Sequence, residues 1–188
     1  MKGCCVIVDL DYTLVNVNTT FDFLRTFYYR KYVLFSKLIW PLTLLNKVLG
    51  SDMYKQMLLT FCIKRKAKQE LDALSERYFK HLLRHKNGYV NILLLNSLKG
   101  VKCKKILLTA SIDIIAEHFK KLGFDLVIGT NICYRNNKFY RIQDLYRNKH
   151  KVIEMLSKYF DKIIVIEDSP EPEYAKIKGV KVIKVLHK

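Results

Sequence analysis

The sequence lacks the cysteine patterns of a zinc module or a disulfide-rich scaffold. Its five cysteines are an odd number, no C-x-x-C occurs, and none pairs with a histidine at zinc-ligand spacing. Cys4, Cys5 and Cys103 lie in or beside apolar strand-like segments, where a thiol usually fills the core. These absences exclude a structural zinc module and favour a reducing, cytoplasmic setting.

Acidic residues are scarce. The chain has 17 Asp and Glu against 34 Lys and Arg, which gives a formal net charge of +17. Such a charge attracts nucleic acid, phosphorylated metabolites or an anionic membrane surface. The sequence shows no RNA-stacking motif and no helix-turn-helix signature, so an anionic substrate is favoured over specific nucleic-acid binding.

No uninterrupted apolar run is long enough to span a membrane. The longest apolar stretch, 33–49, contains Lys37, Pro41 and Lys47. It could lie on a membrane surface as an amphipathic helix, although a helix packed against neighbouring helices is the favoured interpretation. Near the start of the chain, Asp9 and Asp11 interrupt any signal-peptide apolar region, so no cleaved leader is expected.

What the sequence does contain is a β-branched segment, 4–9, followed by two aspartates at spacing i, i+2. Side chains at i and i+2 of an extended chain lie on one face. Asp9 and Asp11 are therefore expected to point to the same place at the carboxyl end of a strand. Two carboxylates there suit a hard metal ion and phosphoryl chemistry.

The rest of the chain divides into two patterns. Residues 19–91 show the helical spacing of Leu, Phe and Tyr, which predicts four or five helices with breaks at 50–52 and 87–88. From residue 105 onward strands alternate with helices, with a hairpin turning at 136–137. The predicted fold is α/β: a Rossmann-like, doubly wound parallel sheet core, 1–18 and 92–188, with an inserted all-helical region, 19–91.

Polar residues follow the predicted strands at the edge where such sheets bind ligands. Thr109 and Ser111 follow one strand, and Glu167 and Asp168 follow another. Lys151 opens a helix whose start could face the same place. Each group alone has an ordinary interpretation as a cap, a turn or a solvated helix face. Their coincidence at one sheet edge favours an active site.

These motifs, in this order, resemble those of the haloacid dehalogenase (HAD) superfamily of phosphotransferases. Segment 8–14 resembles the first motif, 106–111 the second, Lys151 with its apolar helix the third, and 166–168 the fourth. Segment 123–130 and the helical insertion, which matches a cap, resemble the phosphoserine-phosphatase-like branch. The resemblance implies a Mg²⁺-dependent phosphatase that forms an aspartyl phosphate.

The resemblance also implies roles for individual residues. Asp9 would be the nucleophile, and Asp11 would be the general acid and then the base. Magnesium would be held by Asp9, by the backbone carbonyl of Asp11 and by Asp168, with Glu167 and Glu173 holding metal-bound water. It further implies contacts of Thr109 and Lys151 with the phosphoryl group. Separately, Ser111, Tyr12, Asn16 and Asn18 are expected to contact the substrate.

Some assignments stay open at this point. Tyr12 stands where the family usually has glycine, so the turn after Asp9 could be stiffer or could contact substrate. Glu171 competes with Glu173 for the metal site. Lys149 competes with Lys151 as the phosphate-neutralising lysine, and Lys151 is preferred because the apolar helix begins directly after it.

The leading functional hypothesis is a phosphomonoesterase acting on a small phosphorylated substrate. The apolar, basic cap suggests a hydrophobic or lipid-like phosphate ester as the substrate. Peripheral contact with a membrane is also possible. One alternative is a phosphotransferase or phosphomutase of the same superfamily. Another is a non-catalytic basic module that binds nucleic acid or an anionic membrane.

Overall fold

A single six-stranded sheet forms the centre of the protein. The computed structural model describes residues 3–41, 43, 52–84 and 89–186. The strand order is β4-β3-β2-β1-β5-β6, and every neighbouring pair is parallel except β3 and β4. The strands are β1 (Gly3–Val8), β2 (Lys104–Ile112), β3 (Leu126–Arg135), β4 (Lys138–Gln143), β5 (Phe160–Glu167) and β6 (Val180–Lys184).

Helices fill the connections between strands. Five described helices precede β2, and their bounds are α1 (Thr19–Phe27), α2 (Tyr29–Ile39), α3 (Met53–Ile63), α4 (Lys68–Arg84) and α5 (Ile92–Lys99). The later helices are the short α6 (Asp113–Ala116), α7 (Lys149–Leu156) and two 3₁₀ segments, Glu117–Leu122 and Pro172–Lys176. The predicted α/β fold with a Rossmann-like parallel sheet is confirmed. The division into a core and a separate cap stays a prediction.

Strand β1 is buried on both faces, as its unbroken apolar sequence predicts. Val6 and Val8 pack into the cluster that includes the helices before β2, whereas Cys5 and Ile7 pack into the cluster around α7. Alternate side chains of one strand therefore join two hydrophobic layers. Burial on both sides fixes the position of Asp9, which follows β1 directly.

Most of the described turns and helix ends lie where the sequence predicts them. Asn136 and Asn137 have φ angles of 50° and 60°, which confirms the predicted hairpin turn. The predicted helix 113–122 is α-helical only to Ala116 and continues as a 3₁₀ segment that ends at Gly123, where φ is 95°. The predicted break at 87–88 and most of the one at 50–52 lie outside the described residues.

The apolar stretch 33–49 is described only in part. Helix α2 carries its first half, and residues 42 and 44–49 lie outside the described part of the chain. No helix in the described ranges is both long and apolar enough to cross a membrane.

Two cysteines expected to be core thiols form a disulfide. Cys4 on β1 and Cys103, just before β2, are joined across adjacent strands, with their Cα atoms 5.0 Å apart. Cys5 and Cys62 are buried free thiols, as expected of core-filling cysteines. The reducing, cytoplasmic setting inferred from the sequence stays a prediction.

Candidate active site

Asp9 lies where β1 ends, at the wall of a cavity of about 690 Å³. Its backbone N–H donates to the carbonyl of Ile166, which keeps the chain in register with β5 at this point. Its Oδ1 accepts a hydrogen bond of 2.8 Å from the backbone N–H of Leu10. These bonds fix the orientation of the carboxylate and leave Oδ2 to other partners.

Asp11 is held by the start of α1. Its Oδ1 accepts hydrogen bonds from the backbone N–H and the hydroxyl of Thr19, at 2.9 and 2.7 Å. Burial raises the pKa of Asp11 to about 7, and the negative charge of Asp9 adds to the rise. Asp11 therefore favours a protonated carboxyl more strongly than an exposed aspartate does. The residue that follows Asp11, Tyr12, has a φ of 56°, a left-handed conformation that favours glycine.

Lys149 is the cation beside Asp9. Its Nζ lies 3.1 Å from Asp9 Oδ2 and contacts Glu167 Oε1, and all three side chains are buried. Burial lowers the pKa of Lys149, but the charges of the two carboxylates outweigh it and hold the pKa above its ordinary value. Lys149 thus carries a fixed positive charge.

The preference for Lys151 is corrected by this geometry. Lys151 is exposed, whereas Lys149 lies at the first position of α7 and reaches the cavity. Residues two apart on a helix point about 200° apart, so only one of the two lysines can face the site.

Glu171 fixes where α7 begins. Its carboxylate accepts hydrogen bonds from the backbone N–H groups of Lys149 and His150, at 3.2 and 3.1 Å, and lies 2.7 Å from His150 Nδ1. A carboxylate is stabilised at a helix N-terminus by these unpaired donors. Glu173 is exposed and lines the same cavity. Glu171 is thus occupied by the helix, and Glu173 is the less constrained carboxylate of the two.

Asp168 is oriented by Thr13 from the first motif. The Asp168 N–H donates to Thr13 Oγ1 at 3.0 Å, and that hydroxyl is 3.4 Å from Asp168 Oδ1. Burial raises the pKa of Asp9, and the charge of Asp168 adds to the rise, while Lys149 opposes it. The two aspartates are thus close enough to repel each other, as carboxylates at a shared cation site do.

The donor set of the cavity suits a hard divalent cation. Its described lining includes six acidic residues, Asp9, Asp11, Glu167, Asp168, Glu171 and Glu173, against the two cations Arg147 and Lys149. Carboxylate oxygens in such excess fit Mg²⁺, which prefers oxygen ligands and keeps several waters.

Of the other predicted site residues, some line the cavity and others do not. Thr109 is buried, lines the cavity, and its Oγ1 accepts a hydrogen bond from the Ser111 N–H. Tyr12 and Asn18 also line it, although Asn18 Oδ1 caps α1. Asn16 is not among the described lining residues.

Ser111 is not at the cavity surface, which corrects its assignment to substrate. Its hydroxyl is buried and lies 2.5 and 3.0 Å from the hydroxyls of Thr19 and Thr20. It therefore links the end of β2 to the start of α1, beside Asp11.

Three residues at the site were not predicted. Thr19 holds Asp11, and Tyr146 and Arg147 line the cavity from the loop before α7. Arg147 has a φ of 55°, an uncommon conformation for a long side chain. The position of this loop, directly ahead of the third motif, is the one sequence signal that could have pointed to Tyr146 and Arg147. Thr19, which follows the cap residue Asn18, carries no distinctive signal.

A buried ion pair joins α3 to the same region. Lys55 Nζ lies 2.5 Å from Asp144 Oδ1 and donates to the carbonyl of Ala110, next to Thr109, at 3.0 Å. Asp144 also accepts hydrogen bonds from the Thr130 hydroxyl and the Tyr146 N–H, both at 3.1 Å. The pair therefore connects the helical insertion to the loop that carries Tyr146 and Arg147.

Comparison with known proteins assigns the class. The family profile described as haloacid dehalogenase-like hydrolase matches residues 6–159, and the chain belongs to this family. No curated protein sequence matches the chain.

Solved structures share the fold. A protein of unknown function from Bordetella pertussis Tohama I superposes with a TM-score of 0.70 at 19% identity, covering 98% of this chain and 99% of that one. Phosphoserine phosphatase in its apo form gives 0.62 at 14%, covering 96% and 86%. A phospho-aspartyl intermediate analogue of phosphoserine phosphatase gives 0.60 at 15%, covering 90% and 79%.

Proposed function

We propose that the protein is a Mg²⁺-dependent phosphatase that hydrolyses a phosphomonoester through an aspartyl phosphate on Asp9. The observation that carries the proposal is the setting of Asp9 at the end of β1. One of its oxygens is held by a backbone N–H and the other faces Lys149, with Asp11 beside it. A fixed, charge-compensated carboxylate at a cavity wall suits a nucleophile.

The proposed reaction has two steps. A carboxylate oxygen of Asp9 attacks phosphorus, the bond from phosphorus to the ester oxygen breaks, and Asp11 gives its proton to the departing alkoxide. Asp11 then takes a proton from water as that water attacks phosphorus and releases Asp9. The raised pKa of Asp11 suits a group that must both give and take a proton. A phospho-aspartyl intermediate analogue is known for phosphoserine phosphatase, which shares the fold.

Lys149 and Thr109 would serve the phosphoryl group. The ammonium of Lys149, already beside Asp9, would offset the negative charge of both nucleophile and phosphate. Thr109 would donate its hydroxyl to a phosphate oxygen. Mg²⁺ held by Asp9, Asp168 and the carbonyl of Asp11 would supply further positive charge, with Glu173 and Glu167 near its waters.

The substrate is expected to enter beside the helical insertion. Tyr12 and Tyr146 place aromatic rings at the cavity and Asn18 adds a polar group from the start of α1. The region 19–91 would then act as the cap that selects the alcohol part of the ester. The two tyrosines favour an ester with a hydrophobic alcohol over a small polar one, and a panel of phosphomonoesters of graded hydrophobicity tests that preference.

The experiment is turnover of a generic aryl phosphate by the wild-type chain and by Asp9→Asn, with and without Mg²⁺. The wild type should hydrolyse the ester only with Mg²⁺, and the variant should be inactive, because an amide cannot act as the nucleophile. Circular dichroism of both proteins serves as the folding control. Full activity in Asp9→Asn would refute the mechanism.

A further inference from the structure

Helix α2 is apolar on two sides, yet only one of them is covered. Ile39 is buried, and Tyr32 packs against the same core cluster. On another side, Leu34 and Leu38 are 72% and 73% exposed, and Trp40 follows the helix, also exposed. Large apolar side chains grouped at a protein surface usually mark an interaction site. Among the residues that the structure describes, none covers this side of α2.

A groove of about 600 Å³ is lined by residues of α2 and α3. Lys31, Leu34, Phe35 and Leu38 follow the i, i+3, i+4, i+7 spacing of one helix side, and Lys31 and Phe35 line the groove. Its described lining also includes Met57, Phe61, Lys64 and Arg65. The rings of Phe35 and Phe61 stack at 4.0 Å, so α2 and α3 present one continuous apolar surface.

The charged residues that line this groove are all cations, and one of them, Lys66, is paired with Glu70 beside the groove. The described residues that line the groove include four cations and no carboxylate. The sequence from 23 to 51 contains no Asp or Glu at all, but it contains Arg25, Arg30, Lys31, Lys37 and Lys47. The surface thus combines exposed Leu, Phe and Trp with flanking Lys and Arg, which is the composition of helices that bind at a membrane interface.

We propose that the α2–α3 surface docks the protein on an anionic lipid bilayer. Leu34, Leu38 and Trp40 would enter the boundary between headgroups and acyl chains, and the lysines and arginines around them would contact lipid phosphates. Charge complementarity selects this occupant, because the surface has apolar side chains for the bilayer and cations for its phosphates. The proposal stands apart from the chemistry proposed for Asp9.

The test is flotation of the full chain with vesicles of phosphatidylcholine alone and of phosphatidylcholine mixed with phosphatidylglycerol. The protein should float with the mixed vesicles only, and added salt should weaken binding. Leu34→Ser/Leu38→Ser should lower the affinity roughly tenfold or more, because two leucines lose their apolar burial. Leu93→Ser, which changes an exposed leucine of α5, should bind as the wild type does. Lys31→Gln/Lys64→Gln should reduce both the affinity and its salt dependence.

Several outcomes would overturn the proposal. They are a wild-type chain that does not float, equal binding to both kinds of vesicle, and equal losses from Leu93→Ser and the paired variant. A large fall in thermal midpoint in Leu34→Ser/Leu38→Ser would show that the chain itself covers these leucines. A dimer in light scattering that the paired variant abolishes would assign the surface to a second copy of the chain.

Discussion

Replacing Lys55 by methionine is expected to destabilise the fold by about 3 kcal/mol. The Lys55–Asp144 pair is almost completely buried, with side-chain exposures of 5% and 6%. Removing one partner of a buried pair costs roughly 3–5 kcal/mol, because the other charge stays buried without compensation. The lower end applies here, since Asp144 would keep its hydrogen bonds from Thr130 and Tyr146. The carbonyl of Ala110 would also lose a donor.

Urea unfolding measures this cost, and Lys80→Met is the matched control. Lys80 pairs with Glu76 at 3.1 Å one turn away on α4, but the side chains are 61% and 45% exposed. Its loss should cost no more than about 0.5 kcal/mol. Asp144→Asn in the Lys55→Met background should restore part of the stability, because it removes the unpaired charge. Equal effects of Lys55→Met and Lys80→Met would refute the reasoning.

Two further predictions concern pH and the site lysine. Burial raises the pKa of Asp113 to about 6, so this carboxyl stabilises the fold fully below about pH 3.8 and loses that contribution as pH rises through about 6. The free energy of unfolding of Asp113→Asn, measured in urea, should therefore rise relative to that of the wild type by up to about 3 kcal/mol between about pH 4 and pH 7. A difference between the two proteins that does not change with pH would contradict this. Lys149→Met should abolish aryl phosphate turnover while Lys151→Met keeps it, because only Lys149 contacts Asp9; equal activities would reject that assignment.

The sheet and the first motif could be predicted from local sequence. The apolar segment before Asp9 is buried on both faces, and a strand with that burial must deliver Asp9 to the sheet edge. The hairpin at Asn136 and Asn137 was equally local, since asparagine tolerates the left-handed backbone that such a turn needs. Both predictions depended only on neighbouring residues.

The residues that sequence reasoning misplaced depend on distant partners. The residue at which α7 begins determines whether Lys149 or Lys151 faces Asp9. Glu171, which follows β5 in the sequence, fixes that residue through its hydrogen bonds to the helix. Ser111 is withdrawn from the cavity by hydroxyls of Thr19 and Thr20, which lie about ninety residues earlier in the chain. Periodicity and strand-end rules carry no information about such contacts.

The loop before α7 and the disulfide share this limit. Tyr146 reaches the cavity because its N–H is held by Asp144, which in turn pairs with Lys55 from the helical insertion. Cys4 meets Cys103 only because β1 and β2 are neighbours in the sheet. Strand order is a property of the whole fold, so spacing along the chain did not indicate the pair.

The most direct test of the central claim is to look for the phosphoryl group on Asp9. The wild-type chain is mixed with an aryl phosphate and Mg²⁺, quenched in acid, digested, and analysed by mass spectrometry. We expect a phosphorylated peptide that contains Asp9, formed within the first turnover and absent from Asp9→Asn. A phosphoryl group on a different residue, or continued turnover with Asp9 never modified, would contradict it.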